Sequence, residues 1–173
     1  PRFDEYVRNS RAFIEILKEV APVVEQASID EAYCDMSGTR RLYGDPVAFA
    51  HQLKKRIHEE LPFTVNIGIS DCKLLAKMAS DFEKPDRVHT LFSDEIEQKM
   101  WQLPAGELFL VGRSSTQKLH SLGIHTIGDI ARMNPELLQL HFGKQGLAMW
   151  EHARGIDPTP VQAVSDAAKS YGN

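Results

Sequence analysis

Asp30 and Glu31 are adjacent carboxylates lying between two short stretches, residues 23–28 and 32–36, that read as strands. Acids at such a junction supply the hard oxygen ligands that Mg2+ takes, and two-metal phosphoryl transfer is built on ligands of this kind. In a straight strand, neighbouring side chains point to opposite faces, so both acids reach one ion only where the backbone bends or bulges. A solvated acidic turn accounts for the same pair without any metal. Two glycine-containing junctions between short helical segments form a second set of candidates. Gly112 is followed by Arg113, Ser114 and Ser115, and Gly143 by Lys144 and, two residues on, Gly146. Each can expose backbone N–H groups at a helix N-terminus, where a phosphate is held without help from a particular side chain. Plain helix capping by glycine is the alternative.

The elements that must position these residues follow from hydrophobic period and punctuation. Phe3, Val7, Ile14, Leu17 and Ala21 recur at helical spacing and predict an amphipathic helix over residues 3–20, stopped by Pro22. Asp45 and Pro46 read as an N-cap and first-turn pair, opening a helix whose buried stripe is Val47, Ala50, Leu53, Ile57 and Leu61. Residues 63–70 alternate apolar and polar, the period of a half-buried strand. Residues 71–84 return to helical period, with Leu75, Met78 and Phe82 on one side and Lys73, Lys77 and Lys84 on another. A short strand over 88–92 and a helix over 93–102 come next. After Pro104 the strand signals cease and short helical segments punctuated by glycine take over, at 114–122, 126–133, 135–140 and 144–154. The fold class is α+β: a mixed sheet with helices over 1–103, a small all-helical domain over 104–155, and a linker over 156–173.

Composition bounds the function classes. With 42% apolar and 25% charged residues and no apolar run near the length of a bilayer span, the chain reads as soluble, and residues 1–9 lack the apolar core of a signal peptide. A cytoplasmic setting without a membrane partner is the expectation. Cys34 and Cys72 stand far apart and away from zinc-ligand spacing, and the seven histidines form no metal pattern. The net charge of −4 weighs against broad electrostatic binding of nucleic acid. Local helix N-termini and bound ions can hold phosphates without a basic surface overall.

Three blocks of sequence carry a family resemblance. Ser28-Ile29-Asp30-Glu31-Ala32-Tyr33 with Asp35 resembles the metal-binding motif in the palm of Y-family DNA polymerases. Ile67-Gly68-Ile69-Ser70, then Lys73 to Asp81 and Lys84-Pro85, resembles the family's next block in order and spacing. Val111-Gly112 and Leu122-Gly123-Ile124-His125-Thr126-Ile127-Gly128-Asp129 are similar to its helix-hairpin-helix thumb. The likeness extends over residues 3–160 and is closest to bacterial members of the DNA polymerase IV type. It implies a palm-plus-thumb portion, internal to a longer enzyme, with Asp30 and Glu31 on the catalytic Mg2+ ions and Lys84 on the triphosphate of the incoming nucleotide. It also implies primer-template DNA on the hairpins at Gly112–Ser115 and Gly143–Gly146. The parent would add deoxynucleotides to a primer 3′ end in translesion synthesis and DNA repair. This piece alone is expected not to polymerise, and a sliding clamp would engage regions beyond it. The departures are Cys72, where many members have Asn, and Leu110, where the hairpin usually has its first glycine. Lys169 to Asn173 resemble the start of the little-finger domain. Two rival readings are a non-catalytic helix-hairpin-helix DNA-binding module and another palm-type nucleotidyltransferase.

Overall fold

Residues 2–20 have the spacing of an amphipathic helix and form one, α1 (Arg2–Val20), whose buried positions Ser10, Phe13, Ile14, Ile16 and Leu17 share a face. The computed structural model describes residues 2–163 of the chain. The sequence features at Pro1 and over 164–173, including the Lys169 to Asn173 segment, lie outside the described residues. Pro22 follows α1 and cannot continue it, and the chain enters an antiparallel hairpin of β1 (Val23–Gln26) and β2 (Ala32–Asp35). Val23 lies opposite Asp35 and Gln26 opposite Ala32.

One turn of helix, α2 (Arg40–Tyr43), which hydrophobic period did not signal, leads to Gly44 at φ 75° and then to α3 (Pro46–Glu60). Asp45 is the N-cap that its residue type predicts, because Ala48 N donates to Asp45 Oδ2 at 3.0 Å and Pro46 occupies the first turn. Phe13, Ile14, Leu17, Val24 and Ile57 form one core, with Leu53, Phe63 and Val65 packed against it.

The alternation over 63–70 is shorter as a strand than its period suggests: only β3 (Ile67–Ile69) pairs, with β4 (Val88–Thr90). Phe63 and Val65 are spent on the core instead, and β4 offers just three residues as a partner. Between the two strands runs α4 (Lys73–Ser80), which also ends earlier than the predicted 84. Asp81 N bonds back to Met78 O and Phe82 N to Ala79 O, three-residue closures that tighten and finish the last turn.

The described residues divide into two compact units, one of 2–67, 84–88 and 160–163, the other of 68–83 and 89–159. In the second, α5 (Ile96–Lys99) follows a 3₁₀ turn, and α6 (Arg113–Ser121), α7 (Ile127–Arg132), α8 (Pro135–Phe142) and α9 (Lys144–Ala153) complete the α-helices of the described residues. A single core containing Leu75, Leu91, Met100, Leu108, Leu119, Ile127, Ile130 and Leu138 runs across the composition change at Pro104. The α+β class holds, with the strands of the described residues arranged as two two-stranded sheets. None of the described helices is long and apolar enough to cross a membrane.

Candidate active site

The loop between β1 and β2 satisfies the condition that the two acids impose. Residues 28–30 form a bend, and both Ala27 N (2.9 Å) and Ser28 N (3.2 Å) donate to Glu31 O. The strand alternation that would separate Asp30 from Glu31 is therefore interrupted. Both residues are exposed, and Ser28 Oγ donates to Asp30 Oδ1 at 2.9 Å. Asp35, four residues along β2, belongs to a different structure, because its Oδ1 accepts from Ser37 N at 2.9 Å. The Ser37 side chain and, after it, that backbone bond hold the Asp35 carboxyl below its ordinary pKa. No group of three or more His, Cys, Asp or Glu side chains suited to an ion occurs among the described residues. Two exposed carboxylates nevertheless fit Mg2+, which keeps several waters and is held by one or two protein carboxylates together with substrate phosphates.

Lys84 lies in the same unit as the acids, but not at a helix end. α4 has stopped at Ser80, and Lys84 sits on an exposed connection before Pro85. The segment that follows is tied to the unit at two points. Lys54 Nζ on α3 donates to Asp86 Oδ1 at 2.9 Å, and Arg87 N donates to Asn66 Oδ1 at 3.2 Å. The Lys54 bond also holds Asp86 below the ordinary carboxylate range. Lys73 and Lys77 belong to the other unit, where Lys77 pairs with Asp81 at 3.5 Å.

The glycine junctions of the second unit differ from one another in how their helices begin. α7 starts at a capping box, with Asp129 N donating to Thr126 Oγ1 at 3.0 Å and Thr126 N to Asp129 Oδ2 at 3.1 Å, and α8 is capped by Asn134. Backbone bonds from His125 and Thr126 hold the Asp129 carboxyl below its ordinary pKa. By contrast α6 and α9, the helices that follow Gly112 and Gly143, have no side-chain cap and no acidic residue in their first turns. Gly112, Arg113, Ser114, Gly143 and Lys144 are exposed and Ser115 is half-buried. A Cβ built on Gly112 or Gly143 would meet nothing within 4 Å. Exposed helix N-termini without a side-chain cap suit a phosphate.

Gly146 needs a correction. It is buried, its N–H donates to Gly143 O at 3.0 Å, and a Cβ there would lie 2.1 Å from Leu138 O. The missing side chain lets α9 approach α8, and the residue faces its neighbour helix rather than solvent.

Leu110, the departure from glycine in the first hairpin, adopts φ 73° and is 67% exposed. The tight turn is present but built with a residue that resists it. A left-handed conformation costs an L-residue about 1–2 kcal/mol, and glycine returns roughly 0.5–1 kcal/mol of that through unfolded-state entropy. Leu110→Gly is expected to stabilise the fold by about 0.5–1 kcal/mol, read as a rise in the urea midpoint at unchanged slope. A lowered midpoint would show that the Leu110 side chain contributes packing that its exposure conceals.

Sequence reasoning passed over Ser10 and Gln26, which stand behind the acidic loop. Ser10 Oγ donates to Ile29 O, and Gln26 Nε2 donates to Ser10 Oγ at 3.2 Å. The available signal was a serine in the middle of an apolar stripe.

Comparison with known proteins agrees with this fold. A family model described as impB/mucB/samB family matches residues 1–81, and one described as DNA polymerase-iota, thumb domain, matches residues 106–157. The chain is 44% identical over its whole length to a DNA polymerase IV of Clostridium acetobutylicum, and 43% identical to that of Moorella thermoacetica. It spans only 43% and 44% of the length of those relatives. Among solved structures, DinB from Sulfolobus solfataricus superposes with a TM-score of 0.81 at 28% identity, covering 91% of this chain and 47% of that one. An insertion ternary complex of Dbh DNA polymerase superposes with a TM-score of 0.80 at 29% identity, covering 91% of this chain and 46% of that one. The first family match takes in the acidic loop and the second takes in both helices without a side-chain cap, and on this evidence the chain has its homologues among DNA polymerase IV proteins and its structural neighbours among Y-family DNA polymerases.

Proposed function

We propose that this chain is the palm (about 1–103) and thumb (about 104–155) portion of a cytoplasmic DNA-directed DNA polymerase of translesion synthesis. The reaction is template-directed addition of a deoxynucleotide to a primer 3′ end. The observation that carries the reading is the pair of exposed carboxylates on the bent loop 27–31, in a chain 44% identical to a protein named DNA polymerase IV. Asp30 and Glu31 would hold Mg2+, which when bound lowers the pKa of the attacking hydroxyl and neutralises charge on the departing pyrophosphate. Lys84 contributes a compact positive charge to the triphosphate of the incoming nucleotide. The N–H groups that open α6 and α9, with Gly112, Arg113, Ser114, Ser115, Gly143 and Lys144, grip the duplex through its phosphates and read no sequence.

Primer extension by the full-length protein, with and without a divalent cation, tests the activity. Cation-dependent addition of templated nucleotides is expected, and binding of DNA with no extension under any cation would leave only a binding module. The Lys84 assignment has its own test. A charge-assisted contact contributes about 1.5–3 kcal/mol, so Lys84→Ala should raise the half-saturating nucleotide concentration roughly 10- to 100-fold. Primer-template affinity should stay unchanged. An equal loss of DNA affinity would place Lys84 on the DNA path instead.

A further inference from the structure

We infer that Ser10, backed by Gln26, is a positioning residue that fixes the loop bearing Asp30 and Glu31 in its ion-binding form. The inference rests on the polymerase reading above and adds two residues to that site. Ser10 lies on the buried stripe of α1, three, four and seven residues before Phe13, Ile14 and Leu17, and is 8% exposed. An apolar side chain at that position would add to the core. A hydroxyl there is tolerated only if hydrogen-bonded, since an unsatisfied buried polar group costs about 1–3 kcal/mol. Ser10 is bonded in both directions, accepting from Gln26 Nε2 at 3.2 Å and donating to the carbonyl of Ile29, the residue immediately before Asp30.

The relay has a mechanical consequence. Inside the loop, Ala27 N and Ser28 N close on Glu31 O, and Ser28 Oγ fixes one oxygen of Asp30. Those bonds shape the loop but do not attach it to anything else. Ser10 attaches it to a 19-residue helix whose other buried side chains pack in the core, and Gln26, opposite Ala32 at the mouth of the hairpin, orients the Ser10 hydroxyl. The loop's backbone is thus held on the residue next to the carboxylates, from an element that carries no ligand itself. Only a side chain that donates and accepts at once can serve in this relay, which threonine retains and alanine lacks.

Full-length protein in a complex with primer-template, a chain-terminated primer end and an incoming nucleotide provides the test, with Mn2+ as the probe and bound ion read by electron paramagnetic resonance. Groups bonded directly to a metal ligand typically account for 10- to 100-fold in affinity, and Ser10 acts one residue removed through the Ile29 carbonyl, so Ser10→Ala should weaken Mn2+ binding at the low end of that range, roughly tenfold. DNA affinity should be unchanged and Ser10→Thr should restore Mn2+ binding. Gln26→Met, which removes only the donor behind Ser10, should weaken it by a smaller factor. Mn2+ affinity within about twofold of the wild type in both Ser10→Ala and Gln26→Met would overturn the inference, whatever happens to the melting temperature. Should Ser10→Ala fail to fold, Gln26→Met decides the matter alone. Asp30→Ala is the control that separates the two levels. If it leaves Mn2+ binding intact, the site assignment itself fails; if it abolishes binding while Ser10→Ala and Gln26→Met do not weaken it, only the relay fails.

Discussion

Asp30→Ala or Glu31→Ala in the full-length protein is expected to lower nucleotide incorporation by on the order of 10³-fold or more, because a lost ion ligand removes several kcal/mol of transition-state stabilisation. The same variants should unfold within about 0.5 kcal/mol of the wild type, as surface substitutions usually do. Both residues are exposed, and the backbone bonds that close their loop run from Ala27 N and Ser28 N to the Glu31 carbonyl rather than to either carboxylate, so Asp30→Ala gives up only the bond from Ser28 Oγ. The separation of activity from stability is what distinguishes a ligand pair from a structural turn. Near-normal incorporation at saturating cation by either variant would remove that residue from the site.

Gly68→Ala should have the largest effect on stability. A Cβ at Gly68 would stand 1.9 Å from Ala76 O and 2.5 Å from Ser80 N, both backbone atoms of α4. Neither can rotate away, so β3 and α4 would have to separate. Leu75 and Ala79, each fully buried on α4, would then lose their seats in the core. Overpacking against rigid backbone belongs among the severe mechanisms, and a loss of about 3–4 kcal/mol is expected, read as a lowered urea midpoint. Gly112→Ala, with nothing within 4 Å of its Cβ, is the matched control and should fall within about 0.5 kcal/mol of the wild type. A mild Gly68→Ala would mean that α4 can shift on the strand, and that the glycine is not there to admit the helix.

The sequence made different parts of this structure legible to different depths. α1 and α3 were readable because each has a long stripe and definite punctuation: Pro22 after one, Asp45 and Pro46 before the other. The hairpin that carries Asp30 and Glu31 was readable as two strands, but not the bend at 28–30 that lets neighbouring acids escape strand alternation, since that depends on the bonds to Glu31 O. Strand period over 63–70 overstated β3 because Phe63 and Val65 obey the same alternation while packing in a core rather than pairing. Lys84 was placed on a helix by period alone, and the three-residue closures at Asp81 and Phe82 are not visible in residue types. α2 is a single turn, too short to show a period. Gly146 illustrates the limit for glycine: at a hairpin it reads equally well as an open phosphate site or as a helix cap, and neither reading reveals that a Cβ there would lie 2.1 Å from Leu138 O, which makes it a point of close approach. Ser10 was hidden because a stripe is read from its apolar members, which makes a polar one look like an interruption.

The measurement that bears most directly on the site is the position of the ion itself. In crystals of the full-length protein with primer-template and a non-hydrolysable nucleotide, soaked in Mn2+, an anomalous peak is expected within about 2.5 Å of carboxylate oxygens of both Asp30 and Glu31, with the Lys84 Nζ against the triphosphate. A peak that contacts neither acid, or a nucleotide seated away from the loop at 27–31, would contradict the assignment.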